Sequence, residues 1–203
     1  IVVDESTGKQ YRFGMPGTAL APEEWQQCLD AVDQMEDLAF IVASGSLPPG
    51  LPDYFYGLIV KQSKAVGAKC IVDTSGPSLQ ALKGKGAYLI KPNIGELCKM
   101  LEVEWLDKEE VPDAARQAIK DGYAELIAIS MGPLGAWIVS QEEQYFAQAP
   151  EVPKRSTVGA GDSMVAGMTH MLQQGRSLQE VISFGVACGS AATMNEGTQL
   201  FNK

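Results

Sequence analysis

A glycine-rich segment that ends in a carboxylate is the part of this sequence best suited to chemistry. Residues 156–163 read STVGAGDS, and an apolar-periodic stretch follows them. Gly159 and Gly161 permit a tight turn and leave N–H groups unpaired at the start of a predicted helix, where the helix dipole favours anions. Asp162 lies in the first turn, where it can accept a proton from a hydroxyl that attacks a phosphoryl group. The segment predicts phosphoryl transfer, with Gly159, Ala160 and Gly161 as the anion hole and Asp162 as the base.

This short glycine-aspartate string also has a structural interpretation. Most isolated G-x-G-D strings are glycine turns in which the aspartate caps the following helix. The choice between a helix cap and a catalytic base therefore depends on what surrounds Asp162.

A second candidate segment, KPNIGE at 91–96, leaves a predicted strand and enters a predicted helix. Lys91 offers a point charge to a phosphate, while Asn93 and Glu96 can face one way and hold hydrated Mg²⁺ by their oxygens. The alternative is an ordinary helix start with a glutamate that complements the helix dipole. Asp73 ends another predicted strand and is a weaker candidate for the same cleft.

A third candidate segment, SGSLPPG at 44–50, follows the predicted strand at 38–43. Ligands of α/β proteins bind at the carboxyl ends of strands, and the hydroxyls and N–H groups of this loop can hold a sugar or its phosphate. A proline-stiffened loop without a ligand is about equally compatible with these residues.

Alternating strand and helix patterns provide the elements that position these loops. Apolar runs at 38–43, 70–73, 87–91 and 126–130 alternate with helical patterns, which predicts an α/β fold with a mainly parallel sheet covered on both faces. Residues 136–146 predict a hairpin, and the two final helices are expected to begin at Asp162 and Ser177. Two short strands, at 1–4 and 10–13, form a separate predicted hairpin before the first βα unit.

Length and composition restrict the class of protein. The chain has 203 residues, 45% of them hydrophobic, which is enough for one substantial core. The net charge of −9 argues against a nucleic-acid partner and favours a small-molecule one. Because no signal segment and no apolar run of ~18 residues is present, we expect no membrane partner and a cytoplasmic location. The cysteines lack C-x-x-C pairing and are expected to be reduced core thiols: Cys28, Cys70, Cys98 and Cys188.

The run STVGAGDSMVAG at 156–167 resembles the C-terminal signature of the ribokinase-like carbohydrate kinases. The resemblance implies a three-layer α/β fold with a mainly parallel central sheet and a small β lid. Residues 1–20 would supply lid hairpin strands, and residues 21–203 the α/β core. Members of this family have a further N-terminal region with the first strands and a glycine-rich sugar-binding segment, so the chain resembles a fragment of such a kinase.

The same resemblance implies positions for ATP and the sugar phosphate. The loop SMGPLG at 130–135, which by itself predicts only a hairpin turn, would lie along the triphosphate and ribose. The loop at 44–50 would border the sugar phosphate, with Ser46 in contact with it, and Asp162 would face the acceptor hydroxyl. The implied ATP-binding residues are Lys91, Asn93, Ser130, Gly132, Gly135, Lys154 and Ser190.

Similar kinases also bind a monovalent cation that braces the anion hole. The residues in this chain that match its ligands are Ser156, Val158, Ala192, Asn195, Gly197 and Gln199, and K⁺ is the expected ion. Most members of the family have an aspartate where this chain has Ser156, so the site here is less negative.

Within the family, several segments resemble the bacterial 6-phosphofructokinase branch: YRFGMPGTAL at 11–20, CIVDTSG at 70–76 and FGVACGSAATMNEGT at 184–198. That branch implies Mg²⁺-dependent transfer of a phosphoryl group from ATP to the 1-hydroxyl of fructose 6-phosphate, in a homodimer. The 1-phosphofructokinases and tagatose 6-phosphate kinases share much of the signature and remain alternatives. A non-catalytic nucleotide-binding fragment is a third.

Overall fold

The computed structural model describes residues 2–195 except 5, 8, 12 and 16. The strands are β1 (Val2–Asp4), β2 (Lys9–Tyr11), β3 (Phe40–Ser44), β4 (Lys69–Asp73), β5 (Ala87–Ile90), β6 (Ala124–Ser130), β7 (Ala136–Val139) and β8 (Gln144–Ala147). The helices are α1 (Pro22–Asp33), α2 (Phe55–Ala65), α3 (Pro77–Gln80), α4 (Ile94–Met100), α5 (Val111–Lys120), α6 (Ala160–Gln173) and α7 (Leu178–Thr193).

Strands β3 to β8 form a six-stranded sheet in sequential order. Strands β3 to β6 run parallel, and β7 and β8 continue the sheet as an antiparallel pair. Strands β1 and β2 form a separate antiparallel hairpin. Every strand predicted from an apolar run overlaps an observed strand, which confirms the predicted α/β fold with its mainly parallel sheet.

Each strand contributes side chains to both faces of the sheet, since successive residues of a strand point to opposite sides. On β4, Ile71 packs in the cluster with α6 and α7, whereas Val72 packs in the cluster with helices α1 to α5. Leu89 and Ile90 divide in the same way on β5. The two clusters make the chain a three-layer structure, with α1 to α5 on one face and α6 and α7 on the other.

The two last helices begin close to where the sequence places their starts. Helix α6 begins at Ala160, two residues before Asp162, because Gly159 adopts a left-handed conformation (φ 73°) that ends the preceding turn. Helix α7 begins after Ser177, whose hydroxyl accepts a hydrogen bond from the Glu180 N–H. The Ser177 N–H in turn donates to the Glu180 carboxylate over 3.0 Å, and this reciprocal cap confirms the predicted start at Ser177.

One expectation about the cysteines is wrong. Cys70, Cys98 and Cys188 are buried free thiols, but Cys28 is exposed. Helix α1, which carries Cys28, buries only Leu29 and Val32. Among the described residues, no helix is long and apolar enough to cross a membrane. The cytoplasmic location stays a prediction.

Candidate active site

The loops that follow β3, β5 and β6 meet at the carboxyl edge of the parallel sheet. The Gly45 N–H, just beyond β3, donates to the carbonyl of Asp73 at the end of β4 over 2.9 Å. The Ser130 N–H, at the end of β6, donates to the carbonyl of Pro92 over 3.0 Å, and Asn93 and Ser130 form a parallel β-bridge. The sheet therefore brings together three of the segments singled out in the sequence.

The anion hole predicted at residues 159–161 lies at the N-terminus of α6. The first N–H groups of a helix have no partner within the helix, so this turn offers donors to an anion. A Cβ atom added at Gly161 would lie 3.4 Å from the Lys91 Nζ. The glycine thus lets the backbone approach the ammonium group, and the positive charge of Lys91 stands beside the helix end.

Lys91 is buried and is paired with Asp73. The Lys91 Nζ lies 3.3 Å from an Asp73 carboxylate oxygen, and the two side chains are only 9% and 17% exposed. Burial raises the pKa of Asp73, the charge of Lys91 opposes that rise, and the negative charges of Asp162 and Glu96 add to it. Asp73 therefore holds the ammonium group beside the anion hole, which gives this weaker sequence candidate a defined partner.

A cavity of about 510 Å³ lies on one side of the α6 N-terminus. Ala160 and Gly161 line it at the anion hole. Five of the seven residues predicted to bind ATP also line it: Ser130, Gly132, Gly135, Lys154 and Ser190. Lys91 and Asn93 are not among its lining residues, because Lys91 lies against Asp73 and Asn93 caps α4.

The remaining wall of this cavity was not found from the sequence. Ala149, Pro150 and Val152 line it from the connection between β8 and the anion hole, and Met164 and Val186 line it from α6 and α7. The connection has no regular secondary structure and no periodic pattern, and methionine and valine on a helix resemble ordinary core residues. In the sequence of this segment, only the prolines indicate a stiff backbone.

Gly135 shapes the turn that borders the cavity. Its φ of 115° lies in the region that L-residues rarely adopt, and a Cβ there would collide with the carbonyl oxygen of Ala147. Only glycine fits between the two antiparallel strands at this point. The predicted turn is therefore present, with a short 3₁₀ helix at Gly132–Leu134 inside it.

Asn93 and Glu96 form a reciprocal cap at the start of α4. The Asn93 side-chain oxygen accepts a hydrogen bond from the Glu96 N–H over 2.9 Å, and the Glu96 carboxylate accepts one from the Asn93 N–H over 2.8 Å. This is the helix-start alternative that the sequence left open. The three-residue spacing has a structural explanation, and a metal role for Glu96 stays a prediction.

A second cavity, of about 440 Å³, lies between β3 and α6 and extends along α6 from Asp162 to Gln173. Val42 and Ser44 of β3 line it together with Asp162 and Val165 of α6. The Ser44 hydroxyl donates to an Asp162 carboxylate oxygen over 3.3 Å. Ser46, the predicted sugar-phosphate contact, is exposed in the loop that continues from Ser44.

Four of the six residues predicted to hold a monovalent cation lie where the segment before α6 meets the end of α7. The N–H groups of Arg155 and Ser156 both donate to the carbonyl of Thr193, over 2.8 and 3.1 Å. These bonds bring Ser156 and Val158 to the helix end that carries Ala192 and Asn195. Ser156 is buried, and its hydroxyl accepts from the Val158 N–H. Gly197 and Gln199 lie outside the described residues.

Comparison with known proteins gives a family match over the whole chain. The family described as "pfkB family carbohydrate kinase" matches residues 1–203. The ATP-dependent 6-phosphofructokinase isozyme 2 of Escherichia coli K12 is 43% identical over 197 residues, which cover 97% of this chain and 64% of that protein. A crystal structure of E. coli phosphofructokinase-2 with potassium superposes with a TM-score of 0.90 at 42% identity, over 97% of this chain and 64% of the other.

The 1-phosphofructokinase of Bacillus subtilis is also similar, at 30% identity over 203 residues that cover 99% of this chain and 67% of that protein. The chain spans slightly less than two thirds of the E. coli relative. The match over the whole chain, the high identity and the close superposition place it in one family. The chain belongs to the pfkB family of carbohydrate kinases.

Proposed function

We propose that the full-length protein, meaning this chain extended to the length of its relatives, transfers the γ-phosphoryl group of ATP to the 1-hydroxyl of fructose 6-phosphate. The observation that carries the proposal is the position of two consecutive residues at the α6 N-terminus. Gly161 lines the cavity with the predicted ATP residues, whereas Asp162 lines the cavity on the β3 side. A phosphoryl group at this helix end would lie between a donor in one cavity and an acceptor in the other.

The residues of the chain account for the steps of such a transfer. Asp162 accepts the proton of the acceptor hydroxyl while the oxygen of that hydroxyl forms a bond to the γ-phosphorus. The bond between that phosphorus and the oxygen it shares with the β-phosphate breaks, and ADP leaves. The N–H groups of residues 159–161 and the ammonium group of Lys91 stabilise the negative charge of the transferring group. Asp73 keeps that ammonium group in place.

Mg²⁺ fits this site through Glu96, with Asn93 beside it, and would neutralise phosphate charge when bound with ATP. Within the described part of the chain, no three His, Cys, Asp or Glu side chains converge on one metal position. Mg²⁺ commonly keeps several waters and takes few protein ligands beside substrate phosphates, so one carboxylate is sufficient. K⁺ would be held by the cluster at Ser156, Val158, Ala192 and Asn195, through backbone carbonyls and the buried hydroxyl of Ser156.

We predict that Glu96→Gln shifts the Mg²⁺ dependence of turnover to higher concentrations. Glutamine retains the cap on α4, since its side-chain oxygen accepts the same N–H hydrogen bond, but it removes the charge. Glu96→Ala removes both the cap and the charge, so comparison of the two variants separates the effect on stability from the effect on metal binding. Initial rates measured across an Mg²⁺ titration at saturating ATP test the effect. If the Glu96→Gln titration superimposes on that of the parent, the cap is the whole role of Glu96.

The hairpin β1–β2 would serve as a lid and as the contact surface of a homodimer. The segment that follows it exposes large apolar side chains, with Phe13 70% and Met15 87% exposed. Contiguous exposed apolar patches are typical of surfaces that contact a ligand or another chain, and these two side chains would contribute to one. The proposed division into a lid at residues 1–20 and a core at residues 21–203 is supported by the separate two-stranded sheet of β1 and β2.

The proposed substrate is tested by comparing three sugar phosphates as acceptors for the full-length protein. We expect the highest kcat/KM for fructose 6-phosphate, with fructose 1-phosphate and tagatose 6-phosphate lower. A preference for fructose 1-phosphate would support the 1-phosphofructokinase alternative, which the similarity to the B. subtilis protein keeps open. ATP binding without turnover of any of the three would contradict the kinase proposal and favour a nucleotide-binding role.

A further inference from the structure

We infer that Ser44 is a positioning residue for the base: its hydroxyl holds the Asp162 carboxylate in the orientation that receives the acceptor proton. This inference rests on the proposed function and extends it to a residue of β3. Ser44 and Asp162 are 118 residues apart in sequence and come from different elements. Their contact joins the sheet edge on the acceptor side to the helix that carries the anion hole.

Hydrogen bonds to β4 and to nearby side chains hold the backbone around Ser44. Ser44 is the last residue of β3 and is paired in register with Asp73 of β4. The Gly45 N–H donates to the Asp73 carbonyl. The Gly45 carbonyl accepts hydrogen bonds from the hydroxyls of Tyr56 and Thr74, over 2.9 and 2.8 Å. The Ser44 hydroxyl is therefore directed from a rigid point of the structure.

Asp162 needs such a partner because its surroundings do not confine it. It is exposed in the first turn of α6, where a carboxylate can occupy more than one rotamer. The negative charge of Asp73 interacts with that of Asp162, but Lys91 offsets it, so this pair does not fix the orientation of Asp162. A neutral donor on the acceptor side selects one orientation without cancelling the charge of the base.

The geometry of the contact leaves the base functional. The hydroxyl donates to one carboxylate oxygen, Oδ1, over 3.3 Å. The second oxygen retains its lone pairs for the acceptor proton. Both residues line the same cavity, so the free oxygen has access to an acceptor bound there. Loss of the hydroxyl should therefore reduce the fraction of base that is correctly oriented, which lowers kcat more than it raises KM.

The test compares Ser44→Thr with Ser44→Val in the full-length protein. These two side chains have nearly the same shape and differ in one hydroxyl, and both suit a strand. We expect Ser44→Val and Ser44→Ala to lower kcat about 10-fold, in the range for a lost hydrogen bond to a charged group, with little change in the KM for ATP. Ser44→Thr should recover most of the lost kcat. Equal kcat values for the threonine and valine variants would overturn the inference.

A double-mutant cycle separates positioning from a structural effect. Adding Ser44→Ala to Asp162→Asn should have almost no further effect on kcat, because the hydroxyl then has no base to orient. Multiplicative losses, or a raised KM for fructose 6-phosphate with unchanged kcat, would instead identify Ser44 as a substrate contact. If Asp162→Asn alone has the parental kcat, the proposed function is wrong. If Asp162→Asn is impaired and Ser44→Ala is parental, only the role of Ser44 is wrong.

Discussion

Asp162→Asn is expected to lower the kcat of the full-length protein by ~10²–10⁴-fold, the usual cost of removing a positioned general base. Asparagine has nearly the same size and keeps an oxygen that can accept the Ser44 hydrogen bond, so the helix end should be unchanged. Asp162 lines the cavity on the β3 side and not the one that carries the predicted ATP residues. ATP affinity, measured by calorimetry, should therefore stay close to the parental value.

The matched control for this variant is Asp113→Asn, an aspartate on the exposed side of α5 whose side chain is 87% exposed. It removes the same charge from the protein away from the α6 N-terminus. We expect parental kcat for Asp113→Asn. Parental turnover by Asp162→Asn would refute the assignment of the base, while an equal loss in both variants would point to a general charge effect.

The fold was predictable because its strands are short, buried and separated by helices. Runs such as the CIVD of β4 are apolar on both faces, which is typical of a parallel sheet between two helical layers. The start of α7 was predictable because Ser177 and Glu180 carry a local signal. The start of α6 was placed two residues late, since the left-handed conformation of Gly159 is set by the chain around it.

The site was predictable as a set of loops but not as a set of contacts. Glycine, lysine and carboxylate residues at strand ends identify segments suited to phosphate, which is a local property of the sequence. The pairing of Asp73 with Lys91 and the contact of Ser44 with Asp162 depend on the order of strands and on how α6 packs beside β3. A single sequence carries no direct signal for such distant pairs. The wall at Ala149, Pro150 and Val152 was missed because a connection without regular secondary structure has no periodicity.

Residues 1–203 by themselves are expected to bind ATP but to show no sugar kinase activity. The cavity lined by Ser130, Gly135 and Ser190 is formed within these residues, so the ATP side should be retained. The E. coli relative is longer, since the matched region is 64% of its length, and the family resemblance assigns the glycine-rich sugar-binding segment to residues outside this chain. Catalysis needs both reactants oriented, and orientation accounts for ~7–11 kcal/mol of a barrier.

The exposed edge of the sheet at β3 also supports the expectation that residues 1–203 alone have no sugar kinase activity. Val42, in the middle of β3, is 46% exposed and lines the cavity on the Asp162 side, so that side of the site has an open apolar border. Calorimetry with ATP and a coupled assay with fructose 6-phosphate, both on residues 1–203, measure the two halves of the prediction. Ser190→Trp, which fills the first cavity from α7, is the control and should abolish the heat of ATP binding. Robust turnover by residues 1–203 would show that the sugar site is complete within them, and absence of ATP binding would show that even the nucleotide side requires the longer protein.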